Sequence, residues 1–322
     1  MIPDRRISLG LVYLLGCGLS AAAQENTGPQ AVRGRASRTS EALTNLRVDA
    51  ALAVIPAHVT TIIGTPVTGL GKENFRLFEN GVEQTISYFA TEDAPVTLGL
   101  LFDSSGSMHN KMPKLLEAAA ALFKASNAQD EFFLVEFNER AKVSVPLTSD
   151  SEQLYQRIVH TKPFGRTSLY DAVHLALGQM KKARNSRKAL VILSDGGDNR
   201  SRHTFQQIRG ILLESDVQVY AMGIFDADDA PNRPPEELNG PHVLDELTQE
   251  SGGRHFRVTD INGLPEISAQ IGLDLRSQYV LGYSPTDAAR DGKYRRVHVT
   301  LEPESGPRLR VDYRRGYYAP TE

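Results

Sequence analysis

The chain has 322 residues, 40% of them hydrophobic, and its 36 Lys and Arg against 39 Asp and Glu leave a formal net charge of -3. That length suggests about two domains, each able to bury a core. The balance of charge, with no basic run interleaved with aromatics, argues against general affinity for nucleic acid or anionic lipid.

Residues 1–23 read as an export signal. Arg5 and Arg6 form the positive end, residues 7–19 the apolar stretch, and Ala21-Ala22-Ala23 a small-residue cleavage site before Gln24. The apolar stretch is shorter than the roughly 20 residues a membrane span requires. Leu14-Leu15-Gly16-Cys17 resembles the lipobox of bacterial lipoproteins, in which the Cys is acylated. Cleavage after Ala23 is the preferred reading because its small-residue pattern is clean and Leu15 is an indifferent lipobox residue, while anchoring through Cys17 stays open. Either route exports the chain to a periplasm, cell envelope or extracellular space. Cys17 is the only cysteine, so the mature chain would hold no internal disulfide and would rely on its core and on any metal it binds.

Residues 24–45 are polar, contain Gly, Ser and Arg without period, and read as a flexible tether. In residues 46–95 the pattern turns to strands: Leu46, Val48 and Ala50 alternate with polar or small residues, and Val59 to Ile63 is β-branched. Gly64-Thr65-Pro66 signals a turn, and Asn80-Gly81 a hairpin between Phe75–Leu77 and Val82–Ile86. Residues 96–273 alternate strand and helix, as a doubly wound, mostly parallel α/β sheet requires. Strands are expected at 96–102, 131–137, 141–147, 188–194, 217–224 and 254–258. Helices are expected near 112–126, 151–160, 169–182, 204–214, 242–251 and 261–273. The short hairpin between Phe137 and Val143 makes one edge strand antiparallel. Residues 274–322 return to alternation, with Val297, Val299, Leu301 and then Leu309, Val311, Tyr313 on one face. Each terminal segment has too few strands to close a core alone, so the two are expected to pair into a small β-sandwich with the α/β domain inserted between them.

The chemistry concentrates where apolar strands of the α/β part end. VTLGLLFDSSGSMHN, residues 96–110, breaks from an apolar run into Asp103, Ser105 and Ser107, an Asp-x-Ser-x-Ser run that can turn several oxygens toward one point. Hard divalent cations take oxygen ligands. Alone, the run also fits a turn that caps the helix starting near Lys111. Two further pieces match the metal reading: FGRTSLYDA, residues 164–172, sets Thr167 on a polar turn before a helix, and KALVILSDGGDN, residues 188–199, ends a second apolar strand at Asp195. All three loops should leave one edge of one sheet, where open α/β sheets hold ligands.

Asp103-Ser104-Ser105-Gly106-Ser107, then Thr167, then Asp195 resembles the metal-ion-dependent adhesion site of von Willebrand factor type A domains, the module shared with integrin inserted domains. The resemblance covers roughly residues 95–272 and matches the five-residue pattern throughout. The flanks, LGKENFRLFENGVEQTI with Phe75, Phe78, Asn80 and Gly81, and then QYVLGYSP and RRGYYAP, resemble a bacterial secreted group carrying this domain. The resemblance implies that Asp103, Ser105, Ser107, Thr167 and Asp195 bind magnesium, with manganese or calcium as alternatives. It also implies a protein partner supplying a Glu or Asp carboxylate, hence adhesion or assembly rather than catalysis.

Charge arithmetic agrees with that use: three neutral hydroxyls and at most two carboxylates leave a dication under-neutralised. A metal-dependent hydrolase is the alternative, and so is an envelope protein whose metal only staples the fold. The first would need a general base and a shaped pocket that no motif supplies. There is no phosphate-loop motif, no Gly-x-Ser-x-Gly elbow around Ser104, Ser105 or Ser194, and no His-Glu-x-x-His pairing. Tyr317-Tyr318 reads as strand-end packing, with an aromatic binding platform as the alternative. Residues 225–241, with Asp226, Asp228, Asp229, Glu236 and Glu237 among prolines, read as a solvated acidic loop, or else as a rim or internal cap beside the metal.

Overall fold

The computed structural model describes residues 52–92, 94–225, 238–302 and 308–321, all within one compact unit, residues 47–322. The export signal, the tether, the alternation at Leu46, Val48 and Ala50, and the acidic run from Asp226 to Glu237 lie outside the described residues.

The central sheet is built on β5 (Val96–Asp103), whose eight residues are buried along the whole strand. β6 (Glu131–Phe137) and β8 (Arg187–Ser194) pair with it in parallel on either side. β9 (Val217–Ile224) and β10 (His255–Val258) extend the sheet beyond β8, and β7 (Ala141–Thr148) closes the far edge as the antiparallel strand. Such double burial explains the near-continuous apolar text of these strands. Gly99 is required at the centre: a Cβ there would lie 2.2 Å from Phe133 Cζ and 2.7 Å from Leu190 Cδ2.

Helices cover both faces. On one side α1 (Met112–Lys124), α2 (Ser151–Val159) and α6 (Leu264–Arg276) bury Leu115, Leu122, Leu154, Ile158, Ile271 and Leu275 against Leu98, Leu100 and Phe102. On the other, α3 (Leu169–Met180), α4 (Phe205–Glu214) and α5 (Gly240–Ser251) pack Val173, Leu177, Ile208, Leu212 and Leu244 on Leu101, Leu190 and Ile192. Consecutive residues of β5 thus feed opposite cores, as the pleat dictates, and each such side chain contributes about 1.5–3 kcal/mol of burial. α6 starts three residues later than the spacing suggests. A 3-10 turn, Ile261–Gly263, capped by Asp260, comes first, and Pro265 then takes a first-turn position where its missing N–H costs nothing.

The flanking segments interleave into two antiparallel sheets. One has the order β13-β1-β11-β4, with β1 (Ala53–Thr61), β4 (Ile86–Glu92), β11 (Gln278–Tyr283) and β13 (Leu309–Tyr313). The other has the order β14-β12-β2-β3, with β2 (Phe75–Glu79), β3 (Val82–Gln84), β12 (Tyr294–Leu301) and β14 (Gly316–Tyr318). Their shared core includes Ile55, Val59, Leu77, Tyr279, Tyr283, Val297 and Val299. Asn80 and Gly81 both take positive φ, 50° and 85°, the conformation a two-residue hairpin needs.

Two expectations shift in detail. The β-branched run stops pairing at Thr61, and Ile62 and Ile63 stand 75% and 90% exposed in a turn closed by Thr61 N to Thr65 O and Gly64 N to Thr61 O. The strand expected through Val82–Ile86 breaks at Thr85, so β3 and β4 lie in different sheets. Gln84 marks the corner by accepting from Thr286 N and donating to Thr286 Oγ1. Tyr317 packs rather than forming a platform: its hydroxyl and that of Tyr283 each donate to the buried Glu79 Oε2 at 2.7 Å.

Candidate metal centre

Parallel pairing of β5 with β8 sets Phe102 opposite Leu193, so the loops that follow leave the sheet side by side. In the first loop the Ser105 amide donates to Asp103 Oδ1 at 2.9 Å, which bends the chain back over its own carboxylate. A 3-10 turn, Gly106–Lys111, follows and is pinned from below by the fully buried Met108. Ser105 Oγ and Ser107 Oγ are 3.1 Å apart, and Ser107 Oγ donates to Asp195 Oδ2 at 2.9 Å. Asp195 Oδ1 accepts from Gly197 N at 3.0 Å. Asp103 Oδ2 accepts from Ser194 Oγ at 2.5 Å.

The third loop is stitched to the other two. Phe164 N donates to Ser104 O at 2.9 Å and Gly106 N to Gly165 O at 3.0 Å. Thr167, buried, receives the amides of Asn199 and Arg200 on its carbonyl at 3.1 and 3.0 Å, and its own amide donates to Asn199 Oδ1 at 3.0 Å. The structure therefore brings Asp103, Ser105, Ser107 and Asp195 into one hydrogen-bonded group and fixes the Thr167 backbone between the loops.

Burial, and then the Asp195 carboxylate beside it, push the Asp103 carboxyl up to about 7, although hydrogen bonds from Ser105 and Ser194 pull the other way. Two carboxylates that resist being charged together are what a dication relieves. The donor set is neutral hydroxyls plus two carboxylates, so it suits a hard ion. Among the described residues no group of three or more His, Cys, Asp or Glu could hold a metal.

Sequence reasoning missed the supporting residues. Ser194 also accepts from Gly196 N at 3.0 Å. Asp198 Oδ2 accepts from Tyr170 N in the first turn of α3 at 2.9 Å and from Ser201 Oγ at 2.6 Å, and burial raises its carboxyl above the usual range. Asp171 Oδ1 takes the amides of Arg202 and His203 at 3.1 and 3.2 Å. The signal was present: LSDGGDN carries oxygen side chains on both sides of Asp195, in the pattern of Asx turns.

Residues 98–197 match the family model described as von Willebrand factor type A domain, a span holding all five candidate ligands. That stretch is thus similar to von Willebrand factor type A domains. An uncharacterized protein of Borreliella burgdorferi is 22% identical over 174 residues, 49% of this chain and 51% of its own, so the chain spans about half the length of the curated relative it matches. Among solved structures, a von Willebrand factor type A protein of Catenulispora acidiphila is 14% identical with a TM-score of 0.48, over 79% of this chain and 75% of that one. BatB of Bacteroides thetaiotaomicron is 17% identical with a TM-score of 0.45, over 56% of this chain and 100% of that one. Proximal thread matrix protein 1 of the mussel byssus, in a form described as having a zinc-occupied MIDAS motif, is 17% identical with a TM-score of 0.47, over 62% and 50%. Among the described residues no helix of the chain is long and apolar enough to cross a membrane, which says nothing of strand-built barrels.

Proposed function

We propose that this chain is an exported, metal-dependent protein-binding module of the bacterial envelope or exterior, serving adhesion or assembly. Asp103, Ser105, Ser107, Thr167 and Asp195 would hold one divalent cation, magnesium or manganese. The observation that carries the reading is the hydrogen-bonded group of Ser105, Ser107 and Asp195 beside the buried Asp103, assembled from two loops at the edge of the sheet. The match of the family model across that same stretch supports it.

A divalent cation there supplies an electrophilic coordination position for a Glu or Asp carboxylate of a partner. The chain's residues do the rest. Ser194 and the Ser105 amide orient Asp103, Ser107 orients Asp195, and Asn199 holds the Thr167 loop in place. The opposing charge is at most two carboxylates, which can balance a dication without filling its coordination shell, so a position stays open to the partner's carboxylate. Ser105 and Ser107 hydrogen-bond within the cluster rather than to a His.

Calorimetric titration of magnesium and manganese into wild type and Asp103→Ala, with a pull-down from envelope extract in magnesium and in chelator, tests the reading. Metal uptake and capture should both be lost in the variant. Capture that persists in chelator would show that the metal is not how the partner is held.

A further inference from the structure

Among the described residues, the exposed side chains on the loops around the metal centre include four guanidinium groups. Arg140 lies at the β6–β7 turn, Arg166 precedes Thr167, and Arg200 and Arg202 follow β8; all four are exposed. Their loops are tied to one another. Arg200 N donates to Thr167 O at 3.0 Å, Arg202 N to Asp171 Oδ1 at 3.1 Å, and Asn138 Nδ2 to Ser104 Oγ at 3.3 Å. A Cβ on Gly165 would meet Glu139 Cγ at 2.7 Å, which places the Arg140 turn against the Arg166 loop. Arg202 reaches Asp171 at 3.4 Å, while Arg140, Arg166 and Arg200 form no ion pair with any described residue. In a chain with more acidic than basic residues, three arginines at one site with no ion pair to any described residue are a local concentration of positive charge. An apolar group stands with them: Phe164 is 58% exposed, although its amide is fixed on Ser104 O.

We propose that this rim reads an acidic peptide segment, with one carboxylate for the centre, an apolar side chain beside it against Phe164, and further Asp or Glu residues on Arg140, Arg166 and Arg200. The inference rests on the reading of the centre as a metal-dependent carboxylate site. Guanidinium forks match carboxylates bidentately, and rim charges act through encounter rate and salt dependence, so the preference should be ionic-strength sensitive. Among the described residues Glu139 is an exposed acidic side chain on the same rim, and it lies over Gly165 rather than pairing with these arginines. A peptide suits the rim better than a phosphate polymer because the exposed ring adds apolar contact that a bare polyanion does not use.

The test uses the full chain in magnesium and two labelled ten-residue peptides. Each has a central Leu-Asp pair; one flanks it with four Glu residues and the other with four Gln. Fluorescence anisotropy should show the Glu peptide bound about tenfold more tightly at low salt, with the gap closing toward ~0.5 M NaCl as rim charges are screened. R140Q/R166Q/R200Q should bind both peptides with one affinity, and Phe164→Ser should weaken both. Metal-dependent but equal binding of the two peptides by wild type would overturn this inference and leave the metal reading standing. Undiminished binding in chelator, or no binding of either peptide with no metal uptake, would overturn both. Displacement by inorganic polyphosphate as effective as by the Glu peptide would also overturn it, since the rim would then be a general anion patch.

Discussion

Ser107 donates its hydroxyl hydrogen to Asp195 Oδ2 at 2.9 Å, joining side chains 88 positions apart in the chain. The bond follows from the parallel pairing of β5 with β8, which delivers the two loops to the same place. It also gives Ser105, Ser107 and Asp195 hydrogen-bond partners within the cluster itself.

Asp195→Ala should therefore abolish magnesium uptake and partner capture while unfolding in the same cooperative transition as wild type. Truncating one member of a buried charge pair commonly costs about 2 to 5 kcal/mol of binding, enough to lose most of a micromolar interaction. Calorimetry for the metal and melting curves for the fold are the paired measurements. A collapsed melt in chelator would favour a metal that staples the structure.

Asn199→Ala should weaken metal binding without removing a ligand. Its Oδ1 is the acceptor for Thr167 N at 3.0 Å, and loss of such an outer partner typically costs about 10–100-fold in metal affinity. Titration of manganese followed by electron paramagnetic resonance would read the change. Unaltered affinity would remove Thr167 from the proposed ligand set.

Gly99→Ala should destabilise the central sheet by about 1–3 kcal/mol, the usual cost of overpacking, because its methyl would lie 2.2 Å from the Phe133 ring. Urea unfolding measures it. Phe133→Leu in the same chain should recover part of the loss, as contacting residues couple.

Glu136 predicts an acid limb of stability. Burial alone would raise its carboxyl, but hydrogen bonds from Ser144 and Thr161 and the charges of Arg157 and Lys142 hold it below 4.5. A carboxyl depressed in the folded state adds stability above its unfolded value, and that stability is lost as pH falls through the folded value. Urea midpoints should fall below about pH 4.5, and Glu136→Gln should flatten that fall while costing about 1–3 kcal/mol at neutral pH. An unchanged acid limb in the variant would assign it to other groups.

The central sheet is legible in sequence because β5, β8 and β9 are buried on both faces and read as unbroken apolar runs ended by Asp or Gly. The ligand loops are legible for the same reason: oxygen side chains appear where each run stops. The sandwich is legible only as a tally of alternating strands. Pairing such as Val297 with Glu79 joins residues more than 200 positions apart, and no local pattern names the partner. The switch of sheets at Thr85 is hidden because no Gly or Pro marks a break within Val82–Glu92. The roles of Ser194, Asn199 and the arginine rim arise from contacts between loops, and single-loop composition does not contain them.

The inserted α/β domain hangs from a single pair of strands. β4 runs into β5, α6 runs into β11, and β4 and β11 are bonded neighbours with Glu92 opposite Gln278. β5 then spans ~26 Å, at about 3.3 Å per residue, from that pair to the ligand loops. A tug on a captured partner would reach the sandwich through both strands at once and from the same end. The ladder that ties β11 to β1 would be loaded lengthwise, many bonds together, instead of being peeled one by one.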